Sequence, residues 1–453
     1  MVVQKFGGTS VADPDAVRRL IEIVRTARAR DRRGPAVVVS AMSRVTDGLL
    51  AIAADAGASR TSSALSQLDE LRERHVSMAR ALVEGGADLD GLISYIQEQF
   101  DHLVAVARTL GVLREVSLQT IDVIAATGEL LSSRIVAAAL VQAGLPGEWV
   151  DARRAIVTDD DHTRAVPLLR ETTAALRASV LSLVETGKIP VLGGFVGATS
   201  QGQTTTLGRG GSDYSGALVG AGIGASEIQI WTDVDGMLTA DPRIVPTPRL
   251  VPRLSFAEAA ELSYFGAKVL HPSTIHPAVE RNIPVRILNS RKPDGTGTLI
   301  TAEPEPDGNQ LTAMAAKRDL TVIDITSSRM LMAYGFLRRV FEVFERFRTA
   351  VDVVTTSEVS VSVTVDDRRH LEAIVEALSE FAEVSVEPDM ALLCAVGDRL
   401  RAEPAIAARV IRVLEEVPLR MISQAASRRN ITVIVRQADL PQAMHRLHEE
   451  FFE

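Results

Sequence analysis

The sequence predicts an α/β protein: a large N-terminal part built on a mostly parallel sheet, then a two-copy repeat of small β-α-β-β-α units. Three observations carry this. The chain opens as strand, glycine loop, helix and strand over residues 2–40. Glycine loops recur after buried strands, at Gly7-Gly8 and at Gly193-Gly194, and a third lies at Gly208 to Gly211. Beyond residue 320 one order of strands and helices occurs twice.

Composition narrows the class. The 453 residues are too long for one ordinary domain. Hydrophobic residues make up 46% and charged ones 24%, enough for a packed core. A net charge of -9 without a basic tract argues against nucleic acid or an anionic membrane as partner. The single cysteine, Cys394, has no intrachain disulfide partner and suits a reducing, cytoplasmic setting. Its neighbours Leu392, Leu393, Ala395 and Val396 mark it as a core thiol. No signal peptide is expected ahead of Val2, and no uninterrupted apolar run reaches membrane-spanning length.

Val2 to Phe6 is a short buried strand, broken by Gly7-Gly8-Thr9-Ser10. Asp13 caps the next helix and Pro14 takes its first position. Val17, Leu20, Ile21 and Val24 give it one apolar stripe. Ala36 to Ser40 is a second strand. Ligands in such sheets bind at the carboxyl edge of the strands. The loop matches neither standard nucleotide-loop spacing. Lys5 precedes its glycines, where it could reach phosphates cradled by the Gly7 and Gly8 amides or could simply point to solvent.

Residues 60 to 120 read as a helical excursion that carries surface, a packing or dimer element. Thr127-Gly128-Glu129-Leu130 is expected to open a helix, with Glu129 in its first turn. Glu148 to Val150 and Ile189 to Leu192 are strands. In the stretch from Thr204 to Ser215, Ser212 is the expected N-cap of the helix that follows, with Asp213 in its first turn. Gly210 and Gly211 let amides approach an anion, and Arg209 offers a fork for a carboxylate or phosphate. Glu227 to Val234 runs strand into turn, and Ser255 to Glu258 is a capping box. Gly266 ends that helix, and His271 beside Pro272 reads as structural.

A proline-rich acidic linker lies at about Pro304 to Gly308. The first repeat copy follows: Leu320 to Ile325, Gly335 to Phe347, Val351 to Thr356, Val359 to Val365, His370 to Phe381 and Val384 to Val386. The second runs from Ala391 to the helix Leu440 to Phe451. Such paired units suit ligand sensing, or serve only as a buttress or dimer contact.

Four motifs now stand in order: Lys5-Phe6-Gly7-Gly8-Thr9-Ser10-Val11, Arg209-Gly210-Gly211-Ser212-Asp213-Tyr214, Trp231-Thr232-Asp233-Val234, and Phe265-Gly266-Ala267-Lys268-Val269-Leu270-His271-Pro272. Together with the repeat they resemble the aspartate kinase family, most closely its single-activity, lysine-sensitive members. The resemblance spans the chain. It implies the amino acid kinase fold, an α/β/α sandwich, over residues 1–300. Two ferredoxin-like ACT domains would fill 301–453: a first at about 320–388, inserted in a second made of 309–319 and 389–453.

The implied reaction moves the γ-phosphoryl of ATP, with Mg²⁺ held mainly through the nucleotide, to the β-carboxylate of L-aspartate. It is the first step toward lysine, threonine, methionine and diaminopimelate. The implied catalytic residues are Lys5 and Asp213, with no metal ligands from the protein alone. The aspartate pocket would use Thr46, Glu129, Phe195, Arg209, Gly210, Gly211 and Ser212. The nucleotide site would use Lys5, Gly7, Gly8, Thr9, Thr232, Asp233, Leu238, Arg243, Lys268 and Val269. Leu238 departs from the family's usual aromatic residue near adenine. Met330, Phe336, Val351, Asp352, Ser357 and Glu358 match an effector site, although Ala350 replaces a small hydroxyl residue there. Lysine is the first expectation as effector and threonine the alternative. The assembly expected is a homodimer or tetramer through ACT domains. The competing readings are another kinase of this fold acting on a different carboxylate or a nucleotide monophosphate, and a silent amino-acid sensor.

Overall fold

The computed structural model describes residues 1–266, 272–303, 311–327, 334–397, 400, 403–424 and 427–453. The chain clusters into two compact units. The first comprises Met1–Met237, Pro252–Phe256 and the described part of 269–304. The second comprises Leu238–Val251, 257–266 and the described residues from 311 onward. So 238–251 and 257–266, expected with the first domain, cluster with the second unit. Ala240, Ile244 and Val245 explain the first segment, since they are buried in one core with Leu311, Met314 and Leu393.

In chain order the elements up to residue 301 are β1 (Val2–Phe6), α1 (Pro14–Arg30), β2 (Ala36–Val39), α2 (Val45–Gly57), α3 (Thr61–Leu82), α4 (Ala87–Leu113), α5 (Leu118–Gln142), β3 (Gly147–Val150) and β4 (Val157–Thr158). There follow α6 (Leu169–Leu176), which runs through a π turn into α7 (Ser182–Glu185), then β5 (Ile189–Gly193), β6 (Val196–Thr199), β7 (Thr204–Thr206), α8 (Gly211–Ile223) and β8 (Glu227–Thr232). The series closes with β9 (Arg253–Ser255), α9 (Phe256–Tyr264), α10 (His276–Glu280), β10 (Val285–Asn289) and β11 (Thr298–Thr301).

The main sheet of the first unit runs β3-β5-β2-β1-β8-β10-β11-β9. Its pairings are parallel except β10 with β11. Phe6 pairs with Val39 and Trp231, and Val39 with Gly193. That register brings the residues after β1, β2, β5 and β8 to one edge. Asp13 caps α1, its carboxylate accepting from the Ala16 amide at 2.8 Å. Val17, Leu20, Ile21 and Val24 are buried, as their spacing predicts. In the helical excursion Leu68, Ile96, Phe100 and Leu103 share a core with α2 and α5.

Helix α5 corrects the sequence reading. It starts at Leu118, where the Ser117 hydroxyl accepts from the Thr120 amide, so Glu129 lies mid-helix rather than in a first turn. The small residues of 125–128 continue a helix already begun. Length and composition would let α5 cross a membrane, but 83% of the qualifying window is buried inside the protein. It is a core helix, with Glu129 carried at depth.

The second unit adds β12 (Ala313–Thr326), α11 (Phe336–Arg346), β13 (Val354–Thr356), β14 (Ser360–Val365), α12 (Leu371–Ser379), β15 (Glu383–Val396), α13 (Pro404–Val413), β16 (Met421–Ser423), β17 (Asn430–Arg436) and α14 (Leu440–Phe452). Its sheet runs β13-β14-β12-β15-β17-β16. The strands expected at Leu320 to Ile325 and Val384 to Val386 are each part of a longer strand, β12 and β15 respectively. The two long strands pair antiparallel along their length, with register shifts between Lys317 and Val322. Asp319 and Asp389 take positive φ (60° and 57°), which re-aims each strand midway. Their two halves serve two cores, one around Ile323, Val340 and Val363, the other around Leu393, Val410 and Val433.

Candidate active site

Lys5 is the penultimate residue of β1. Its stem lies across α8 at Gly216, where a Cβ would come within 3.2 Å of Lys5 Cβ. Its Nζ is 2.6 Å from Asp213 Oδ1 in the first turn of α8. The Lys5 side chain is only 9% exposed, so this ion pair is little screened.

Ser212 is not the cap of α8. Gly210, at φ 74°, takes the N-cap position without a side-chain bond, and Ser212 lies inside the helix. A left-handed N-cap favours glycine over serine there. The loop after β5 presses on the same turn: a Cβ at Gly194 would meet Ser212 Cα at 2.8 Å. Phe195 follows at φ 65°, its amide held by the Ser215 hydroxyl at 2.9 Å.

These elements enclose a cleft of about 620 Å³. Lys5, Thr46, Glu129, Phe195, Arg209, Gly210, Gly211, Ser212 and Asp213 all line it. Thr206 and Gly208 line it too, as do Ser40, Asp47 and Thr163, which were not singled out from sequence. Ser40 could have been, since it follows β2 at the same sheet edge as Gly7.

The charges are uneven. Glu129 is 3% exposed, and its Oε2 has no hydrogen-bond partner. Burial pushes its pKa up to about 8, against opposing pulls from backbone hydrogen bonds and the Lys5 charge. Arg209 is exposed and enters no ion pair among the described residues. The cleft thus presents a dry acid, a cation on an open fork, and an ion-paired lysine.

The nucleotide residues are spread more widely. The Gly7 amide is not open to a phosphate, because it donates to the Trp231 carbonyl at 2.9 Å. Parallel pairing of β1 with β8 continues one residue past the strand and takes that donor. Gly8 and Thr9 form a short 3-10 turn, Gly8–Val11. The Thr232 hydroxyl donates to the Asp233 carboxylate at 3.2 Å, and Asp233 is exposed. None of Gly7, Gly8, Thr9, Thr232 and Asp233 lines the cleft described above. Leu238 and Arg243 belong to the second unit, where Leu238 bridges Leu250 and Arg243 pairs with Asp241 at 2.6 Å. Lys268 and Val269 lie outside the described residues.

In the second unit, Phe336 opens α11 and meets Phe381 edge-on at 5.8 Å. Val351 is half-buried. The Asp352 carboxylate receives Lys317 Nζ at 2.9 Å, and the same ammonium is 2.7 Å from Asp366. Ser357 bonds Ser360 through both hydroxyls at 2.7 Å, while Glu358 is exposed. Met330 lies outside the described residues.

Comparison with known proteins fits this architecture. The amino acid kinase family profile matches residues 1–289, and that of the ACT domain matches 393–451. The chain belongs to the amino acid kinase family. Over its full length it is 37% identical to aspartokinase 1, chloroplastic, of Arabidopsis thaliana, covering 80% of that protein. It is likewise 34% identical to lysine-sensitive aspartokinase 3 of Escherichia coli K12, covering 99%. The crystal structure of E. coli aspartokinase III in complex with aspartate and ADP matches at a TM-score of 0.84 with 34% identity, covering both chains completely. The same enzyme in complex with lysine and aspartate gives 0.83. Within its family the chain is an aspartokinase, a kinase acting on aspartate.

Proposed function

We propose that the cleft transfers the γ-phosphoryl group of ATP to the β-carboxylate of L-aspartate, giving 4-phospho-L-aspartate and ADP. The observation that carries this is the gathering of Glu129, Arg209 and the Lys5–Asp213 pair around one cavity. The nucleophile is a carboxylate, which in water has a pKa of about 3.9 and is already ionised at neutral pH, so no general base is required. Positioning and charge stabilisation remain. Arg209 takes the α-carboxylate and Glu129 the α-ammonium. Thr46, Phe195, Gly210, Gly211 and Ser212 complete the pocket. Asp213 holds the Lys5 ammonium toward the phosphoryl group in flight. The E. coli relative crystallised with aspartate and ADP supports this reading.

The nucleotide residues of the first unit are Lys5, Gly8, Thr9, Thr232 and Asp233. The described residues gather no group of three His, Cys, Asp or Glu suited to a metal ion. Mg²⁺ is assigned to the nucleotide phosphates and water, since this ion dehydrates reluctantly and keeps several waters beside substrate phosphates. Residues 1–300 form the catalytic domain in this reading, and 301–453 the regulatory ACT pair. Lysine binds around Phe336, Val351, Asp352, Ser357 and Glu358 and inhibits, with assembly as a homodimer or tetramer. The lysine complex of the E. coli relative supports lysine over threonine. The reaction is then the first step toward lysine, threonine, methionine and diaminopimelate, in the cytoplasm. A coupled ADP-release assay with L-aspartate and Mg-ATP, titrated separately with lysine and threonine, tests this reading. ADP release without aspartate dependence would reject the substrate, and inhibition by threonine alone would reject the effector.

A further inference from the structure

We infer that Asp122 is a positioning residue for substrate recognition, fixing the spacing between the Glu129 and Arg209 walls of the cleft. The inference rests on reading that cleft as the aspartate site.

Asp122 has no exposed surface and does not line the cleft. A buried carboxylate is costly unless donors surround it. Here three do. Thr206 Oγ1 donates at 2.5 Å, the Thr163 amide reaches both carboxylate oxygens at 3.0 and 3.1 Å, and His162 Nδ1 lies at 2.7 Å. A carboxylate flanked in this way accepts, so the His162 proton sits on Nδ1.

The donors come from two segments that build the opposite wall. Thr206 ends β7, three residues before Arg209. His162 and Thr163 belong to the loop that follows β4. Thr163 is held at φ 73°, which costs a threonine energy and persists only where surroundings dictate it. That loop is clasped to β7 a second time, the Ala165 amide donating to the Thr206 carbonyl at 2.9 Å. It also lies against the backbone ahead of Arg209: a Cβ on Gly208 would be 3.2 Å from the Thr163 carbonyl oxygen. The other end of the tie is α5. Asp122 and Glu129 are seven residues apart on that helix, two turns, hence on one face and about 10 Å apart along the axis.

Asp122 therefore joins the helix bearing the buried acid to the strand and loop that present the free guanidinium. Apolar packing would hold these elements without the cost of burying a charge. A network with directed donors sets one geometry among several. The substrate's two charged groups sit a fixed distance apart, so the wall spacing decides what is bound.

The test is steady-state kinetics on the full chain with Asp122→Asn, which keeps the shape but turns an amide donor toward one of the three donors. The expected result is a rise of about tenfold or more in KM for aspartate with KM for ATP within about twofold, and weaker preference for aspartate over glutamate. Asp122→Glu, which restores the carboxylate, should recover part of the loss. Glu129→Gln is measured in parallel. If its KM for aspartate rises while that of folded Asp122→Asn does not, the positioning role is overturned and the site reading stands. If neither rises, the site reading itself fails. Should Asp122→Asn not fold, His162→Leu removes one donor only, and the same selective rise is expected. An unchanged KM for aspartate in folded His162→Leu, or a fall in kcat with no change in either KM, overturns the proposal.

Discussion

Lys5 Nζ and Asp213 Oδ1 meet at 2.6 Å across β1 and α8, two elements more than 200 residues apart in sequence. The ammonium is nearly buried, and the carboxylate at its flank fixes its direction. If Lys5 is the group that steadies the transferring phosphoryl, Lys5→Ala should lower kcat by about a thousandfold, the scale of removing a preorganised transition-state donor. The fold should survive, since Asp213 retains some contact with solvent. Circular dichroism with single-turnover ADP release separates the two effects, and turnover near the parent rate would remove Lys5 from the chemistry.

Glu129 makes a pH prediction. Its pKa is raised to about 8 by burial, so this acid is largely neutral at pH 7. A substrate ammonium beside it would favour the carboxylate, and binding would then release a proton. KM for aspartate should fall as pH rises from about 6 to 8, and Glu129→Gln should flatten that profile. The sign for stability is the reverse. The folded state holds this proton more tightly than the unfolded chain, so its contribution is complete below about pH 4.5 and lost as pH rises toward 8. Glu129→Gln should therefore be relatively more stable than the parent at pH 8 than at pH 5 in urea titrations.

The second unit carries a lysine of its own at the expected effector residue. Burial opposes the Lys317 charge, but hydrogen bonds to Asp366 and Asp352 outweigh it and raise its pKa. A free lysine that recruits Asp352 must share it with Lys317. Lys317→Met should lower the lysine concentration for half-inhibition by about fivefold, on the scale of ordinary coupling energies. Asp352→Ala should lose inhibition while turnover without lysine persists. Inhibition retained in Asp352→Ala would place the effector elsewhere.

Cys394 should be inert. It is buried in β15, and burial pushes its thiol pKa up to about 12. Iodoacetamide at pH 8 should leave the native chain unmodified and label it in denaturant. Rapid labelling of the native protein would contradict the packing of this strand.

Local patterns in the chain carried the strands, the capped first helix, the repeat and the chemical types at the cleft. Each depends on neighbours a few residues apart: the stripe from Val17 to Val24, the Asp13-Pro14 start, the glycines after buried strands. Contacts over long separations were not legible. Glu129 belongs to the middle of a helix because that helix already begins at Leu118, ahead of the small residues that looked like its start. The Gly7 amide is taken by Trp231, Ser212 yields the cap to Gly210, and the half-strands of the repeat fuse into β12 and β15.

The sequence alone determined which charges and glycines this protein has and on which kind of element they sit, because periodicity and capping are local physics. Only the tertiary structure decided which of them are dry, paired or free. Burial, and with it the proton on Glu129, the partner of Lys5 and the tie at Asp122, arises where segments distant along the chain exclude water together.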